Sequence, residues 1–256
     1  MPFKLSQIPV ITGHIMQEAK RLTMEKFGVL PIQIMEMAGR HIADLAQLSL
    51  DHSAAGKQVA ICIGGSSIGD MAIVAARHLY NRGACVSILV DEERPGLEGL
   101  ASIRNWPVDV ISGPLGFKYL ENKQFDLVID ALVGSEFEGE LTVAKQKVID
   151  LINRARGRKL SVEVPSGLCL ETGAASDRCV RAECTITFGL PKIGLLIPEA
   201  KEYVGDLYLG DICIPDEIFR ELGVDVDHVF INEAIIELDE KPQKTFRSRC
   251  TGFLLG

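Results

Sequence analysis

The sequence predicts a three-layer αβα, Rossmann-like fold built on a mostly parallel sheet. Short apolar runs alternate with helix-like stretches along most of the chain, the pattern of strands covered on both faces. The Gly-rich segment from Gly64 to Asp70 joins one apolar run to a helical run, as a strand-to-helix turn does. Acidic and hydroxyl residues collect at the ends of three apolar runs, where open α/β sheets bind their ligands.

Thr12 precedes a helical pattern of Ile15, Met16, Ala19, Leu22, Met24 and Phe27 that stops at Gly28, so an N-cap and a C-cap bound the first helix. Pro31 restarts a second through Ile34, Met35, Ala38, Ile42 and Leu45. Strand-like runs follow at 59–63, 85–90, 108–111, 125–132, 160–164, 184–188 and 207–214, with the clearest intervening helices at 70–81 and 142–156. A short helix over 216–222 closes the unit. The domain is expected over 1–230, with 231–256 as a tail or linker remnant whose last residues, Thr251 to Gly256, look like the start of another α/β unit.

With 256 residues, 47% of them hydrophobic and 24% charged, the chain can bury one large core. A net charge of -8 argues against nucleic acid as the main partner. The seven cysteines are an odd number, include no Cys-x-x-Cys pair and fall mostly in strand-like contexts, where Cys packs as a small hydrophobe. A reducing, cytoplasmic setting is expected, with neither a signal-length segment near Met1 nor an apolar run of ~18 residues.

The polar clusters are Ser66, Ser67 and Asp70 after the first strand; Asp130 and the loop from Gly134 to Gly139 after the fourth; and Glu163 to Gly167 after the fifth. In strand order 3-2-1-4-5 these strands are neighbours and the clusters converge on one crevice. Read singly, the first cluster has several meanings. A dinucleotide fingerprint would need Gly where Ser66 stands, with Asp91 or Glu92 as the ribose-binding acid. A phosphate loop is excluded by Asp70-Met71, an acid where Lys-Ser/Thr is required. A nucleophile elbow fits Gly65, Ser67 and Gly69, with Asp130 and His228 in hydrolase order, which gives a serine hydrolase with Ser67 as nucleophile. Plain tight turns are the bland alternative. Asp130 and Glu163 weigh against it, because a carboxylate ending an apolar strand is costly unless a cation or ligand offsets its burial.

The order of segments resembles one family. Ile11-Thr12, Met35-Glu36-Met37-Ala38-Gly39, the Gly-rich turn followed by Val74 to Leu79, Asp126 to Gly134, Val164-Pro165-Ser166-Gly167-Leu168, Thr172-Gly173, Thr187 to Lys192 and Gly205 to Pro215 occur as in the YjeF N-terminal domains, the NAD(P)HX epimerases. The resemblance covers about residues 11–222. It implies an isomerase that interconverts the R and S hydrates of NADH and NADPH in the crevice, serving a partner dehydratase, with a homodimer among the expected assemblies. It places substrate contacts on Ser66, Ser67, Ile68, Gly69 and Asp70, on Gly134, Ser135, Glu136, Phe137, Glu138, Gly139 and Glu140, and on Glu163. It also implies a potassium ion on Ser67, Asp130 and Ser166, and makes Glu163 the general acid and base at C6. Against the family pattern, hydroxyls replace two amides at 66 and 67, Ile68 and Met71 replace glycines, Met37 replaces Asn, and Glu163 replaces Asp. These changes support an alternative, a catalytically inactive nucleotide-binding or protein-interaction module. His14, His41 and His78 read as surface or packing residues, Lys192 as a solvated loop lysine, and Trp106 as core.

Overall fold

A computed structural model describes residues 8–65, 67–91, 98–135 and 140–238. Ser66, Glu92, Glu136, Phe137, Glu138, Gly139, Cys250 and the segment from Thr251 to Gly256 lie outside these. Helices α1 (Gly13–Phe27) and α2 (Pro31–Ser49) precede an alternation of β1 (Gln58–Ile63), α3 (Ser67–Asn81), β2 (Cys85–Val90), α4 (Glu98–Ala101), β3 (Asp109–Ser112), α5 (Gly113–Asn122), β4 (Leu127–Ala131), α6 (Val143–Arg154) and β5 (Arg158–Val162). The chain continues through β6 (Cys184–Phe188), α7 (Lys201–Val204), β7 (Asp206–Gly210), α8 (Asp216–Glu221) and β8 (Ile235–Glu237). The eight strands lie in the order β3-β2-β1-β4-β5-β6-β7-β8, and every pair is parallel except β7 with β8. The expected doubly wound order is therefore present, with its reversal between β1 and β4.

The apolar runs are nearly continuous because both faces of each central strand are covered. Val59, Ile61 and Ile63 of β1 pack with α2 and α3, while Ala60 and Cys62 pack with Leu120 of α5 and Val148 and Ile152 of α6. Gly39 lets α2 and α3 approach, since a Cβ there would stand 2.3 Å from Val74 Cγ1. Trp106 packs edge-on against Tyr80, at 5.9 Å between ring centroids.

The termini of α1 and α2 follow their cap signals. Thr12 Oγ1 accepts from Ile15 N, and Gly28 closes α1 with φ +68°. A second N-terminal N–H of α1, that of Gly13, donates to Glu171 Oε1 at 2.7 Å, a partner far along the chain.

Several expectations need correction. The third helix begins at Ser67, a turn before Asp70, so Ser67, Ile68 and Gly69 are helical. The fifth strand ends at Val162 because Glu163 leaves extended geometry with φ +67°. Helix α5 was hidden by Gly113, Pro114 and Gly116, yet Pro sits at its first turn, where a missing N–H costs nothing. Strand β8 joins the sheet antiparallel to β7, so the sheet takes in part of the segment read as a tail. Of the described cysteines, Cys62, Cys179 and Cys184 are buried but Cys85, Cys169 and Cys213 are exposed, so burial is not their general role. Among the described residues, no helix is long and apolar enough to cross a membrane.

Candidate functional site

The reversal of strand order between β1 and β4 opens a crevice past their carboxyl ends, and the chain there is pressed close. Gly64 N donates to Ala131 O, and any Cβ on Gly64 would lie 1.9 Å from Leu132 O, so only glycine fits. The turn then enters α3 at once. Ser67 and Met71 form one wall of a cavity of about 570 Å³, and Ser135 after β4 forms another. The remaining lining comes from Gln17, Lys20, Arg21 and Met24 of α1 and Pro31, Ile34 and Met35 of α2. These helix residues were missed at the sequence level, since their spacing is that of ordinary core packing.

Not every expected contact residue faces this cavity. Ile68 is 1% exposed and belongs to the core, and Gly69 is buried with it. Asp70 points toward Gly99, where a Cβ would stand 2.5 Å from its Oδ1. These three can offer a ligand the N–H groups of the first turn of α3, but not their side chains. Gly134 is buried, Glu140 is exposed, and Asp91 is buried in an ion pair with Lys145 Nζ at 3.2 Å, so it is not a free ribose-binding acid.

Asp130, at the end of β4, is fully buried. Its Oδ2 accepts from Ser161 Oγ (2.8 Å) and Ser166 N (2.9 Å), and its Oδ1 from Ser166 Oγ (2.6 Å) and Leu132 N (3.3 Å). Ser166 Oγ in turn accepts from Val133 N at 2.9 Å, tying the loop after β4 to the loop after β5. Burial pushes the Asp130 carboxyl up, and the four hydrogen bonds oppose that shift. All four donors are neutral, so among the described residues no cationic side chain balances a charge held here. A donor set of carboxylate and hydroxyl oxygens with no cationic side chain beside it fits a hard cation. Ser161 was not foreseen, although a serine inside the apolar run Leu160-Ser161-Val162 was a usable signal.

Glu163 follows β5 with its side chain 5% exposed. Its φ of +67° is rare for a residue with a side chain and costs on the order of 1–3 kcal/mol. Val164 N closes a tight turn onto Val162 O at 2.8 Å, and Glu163 N is fixed on Ile186 O at 2.7 Å. The carboxylate accepts from Ser135 N at 3.0 Å, which puts it directly behind the cavity wall. Burial pushes Glu163 up, but Lys20, Lys192 and the Ser135 N–H outweigh it and hold the carboxyl below its ordinary range.

Lys192 overturns its expected role. It is not a solvated loop lysine but is 0% exposed, with Nζ donating to Phe188 O (2.7 Å) and Thr187 Oγ1 (2.9 Å). Its signal in the sequence was a lone cation set among Leu190, Pro191, Ile193 and Leu195.

The hydrolase constellation does not assemble. Asp130 is engaged by Ser161 and Ser166, while His228 Nδ1 lies 3.1 Å from Asp216 at the α8 end of the molecule. The structure thus brings together the clusters after β1, β4 and β5, and leaves His228 out.

Known proteins resemble this chain along most of its length. An NAD(P)H-hydrate epimerase of Dehalogenimonas lykanthroporepellens is 30% identical over 221 residues, covering 85% of this chain and 87% of that protein. The bifunctional NAD(P)H-hydrate repair enzyme Nnr of Moorella thermoacetica is 30% identical over 218 residues, 82% of this chain. This chain spans only 41% of the length of that enzyme. The crystal structure of the yeast protein ynu0 superposes with a TM-score of 0.76 at 19% identity, over 90% of this chain and 100% of that one, and so shares the fold. Residues 31–194 match the YjeF-related protein N-terminus. With that match from α2 through the ends of β1, β4 and β5, the chain belongs to the family of YjeF-related N-terminal domains.

Proposed function

We propose that this domain, over about residues 1–230 together with strand β8, is an NAD(P)H-hydrate epimerase that acts in the cavity between α1, α2 and the ends of β1, β4 and β5. The observation that carries the reading is Glu163: a buried carboxylate, kept ionised on a strained backbone, one hydrogen bond behind the wall of a cavity at the switch point. The names of the relatives supply the substrate class, and the cavity volume is that of a small-molecule site.

The hydrated carbon C6 of such a substrate bears a hydroxyl beside the ring nitrogen. An ionised Glu163 takes the hydroxyl proton, the C6–N1 bond breaks, and the proton passes to N1. Rotation of the resulting aldehyde and return of N1 to its other face inverts C6, with no atom gained or lost. Ser67, Ser135 and the first-turn N–H groups of α3 contact the substrate, with Glu136, Phe137, Glu138, Gly139 and Glu140 assigned to the same loop.

Potassium would be held by Asp130, Ser166 and Ser67, where it supplies the positive charge that the Asp130 cluster lacks. Further parts of the reading are a dehydratase that consumes one epimer, a homodimeric assembly and a cytoplasmic setting. The test is to incubate the chain with a dehydratase specific for the S epimer and follow the R epimer by chromatography. R should decay faster than its spontaneous rate. Decay at the spontaneous rate refutes the epimerase and leaves the binding-module alternative, which the replacement of two family glycines by Ile68 and Met71 favours.

A further inference from the structure

Beyond the residues that line the cavity, the structure contains a buried lysine that no step above employs. Lys192 lies past the end of β6, on a segment clamped to the entry of α1 by Ile11 N to Pro191 O (2.9 Å) and Ile193 N to Ile11 O (3.1 Å). Burying an ammonium is expensive unless it is well bonded and its charge is used. Its bonds to Phe188 O and Thr187 Oγ1 occupy two of its three N–H groups.

The same strand end fixes Glu163. In the β5–β6 register Val162 pairs with Ile186, and the next residue, Glu163, is bonded through its N–H to Ile186 O. Thr187 and Phe188, the next two residues of β6, hold Lys192. One strand terminus therefore sets both the backbone of the carboxylate and the site of the ammonium.

We propose that Lys192 is a positioning residue for the epimerisation, a buried cation anchored on the end of β6 that also fixes Glu163, acting through that carboxylate by holding it turned toward Ser135 and the cavity. This inference rests on the epimerase reading for its consequence and on the geometry of β5 and β6 for its cause. Neither Lys192 nor Glu163 lines the cavity itself, but the Glu163 carboxylate is bonded to Ser135 in its wall, whereas Lys192 is bonded to Thr187 and Phe188 of β6, so Lys192 acts on substrate through the carboxylate.

Among the described residues, the charged groups that act on Glu163 are Lys20 from α1 and Lys192, and those that act on Lys192 are Glu163 and Lys20. Lys20 is half-buried in the cavity wall, where bound substrate alters its surroundings, whereas Lys192 is shielded in both states. Burial brings the Lys192 ammonium down to about 7, against a smaller upward pull from Glu163. The clamp is therefore strongest at and below neutral pH and fades above it.

The experiment compares the wild-type chain with Lys192→Met and Thr187→Val, the second removing one acceptor from the ammonium without changing the volume greatly. Carbon-13 resonances of the Glu side chains, with that of Glu163 assigned by its loss in Glu163→Gln, give the carboxyl midpoint directly. Epimerisation assays give the pH dependence of kcat/KM. In Lys192→Met the Glu163 midpoint should rise by about 1 pH unit or more, the usual effect of losing a close countercharge, and the acid limb of kcat/KM should rise with it. Thr187→Val should move both the same way by less, and it carries the test if Lys192→Met does not fold. An unchanged Glu163 midpoint in a folded variant overturns the proposal, as does a fall in rate with no movement of the acid limb. A midpoint that moves in a chain with no epimerase activity supports the coupling and refutes the epimerase reading instead.

Discussion

Replacing Asp130 tests whether the crevice is held together as its hydrogen bonds indicate. Asp130→Ala removes the acceptor of two backbone N–H groups, those of Ser166 and Leu132, and of the Ser161 and Ser166 hydroxyls. The hydroxyls can turn to other partners, but the buried N–H groups cannot, and each costs about 1–3 kcal/mol when orphaned. Adding the space left by the side chain and subtracting the relief of a buried charge, the loss should be about 3–5 kcal/mol. In Asp130→Asn the amide oxygen can take the place of Oδ2 and keep Ser166 N–H paired, while the amide nitrogen faces Ser166 Oγ, which reverses its role. The long bond from Leu132 N at 3.3 Å is then lost and the Ser166 O–H must turn to another acceptor, together worth about 1–2 kcal/mol. In potassium-free buffer, followed by circular dichroism, Asp130→Ala should melt roughly 6–20 °C below the parent and Asp130→Asn only a few degrees below, at about 2–4 °C per kcal/mol for a chain of this size. Equal losses in the two variants, or a loss under about 1 kcal/mol in Asp130→Ala, would refute the orphaned-donor argument.

Glu163→Gln, which keeps the acceptor for Ser135 N, should fold normally and lose about 10²–10⁴ in kcat, read by the epimer-decay assay. Lys192 binds fewer protons in the folded chain than in the unfolded one between pH 7 and its ordinary range, so wild-type stability should rise with pH across that window relative to Lys192→Met; urea titrations at several pH values check the sign. Potassium, but not sodium, should raise the melting temperature of the wild-type chain and leave that of Asp130→Ala unmoved. Gly39→Ala should cost about 1–3 kcal/mol through its collision with Val74, visible as a lower midpoint in urea.

Much of this architecture was legible before any coordinates. The apolar runs located seven of the eight strands because a strand buried on both faces has no polar positions to obscure it. The missed strand, β8, is a three-residue edge whose pairing with β7 leaves almost no local signature. Helix α5 was missed for the opposite reason, since its glycines and proline are breakers locally but lie where a helix start tolerates them. The convergence of Asp130, Ser135, Glu163 and Ser166 followed from strand order alone.

What the sequence determined by itself was seven of the strands, the order of the first five and the end of the sheet at which polar groups meet, because apolar period and chain order are local or topological properties. What only the tertiary structure decided was direction and charge. Asp70 turns to Gly99, Ile68 enters the core, and His228 pairs with Asp216 rather than with Asp130. Lys192, written as one more surface cation, becomes a buried ammonium held by Thr187 and Phe188. The physical reason is that a side chain's environment is set by residues distant in the chain, and an ionisable group takes its character from that environment.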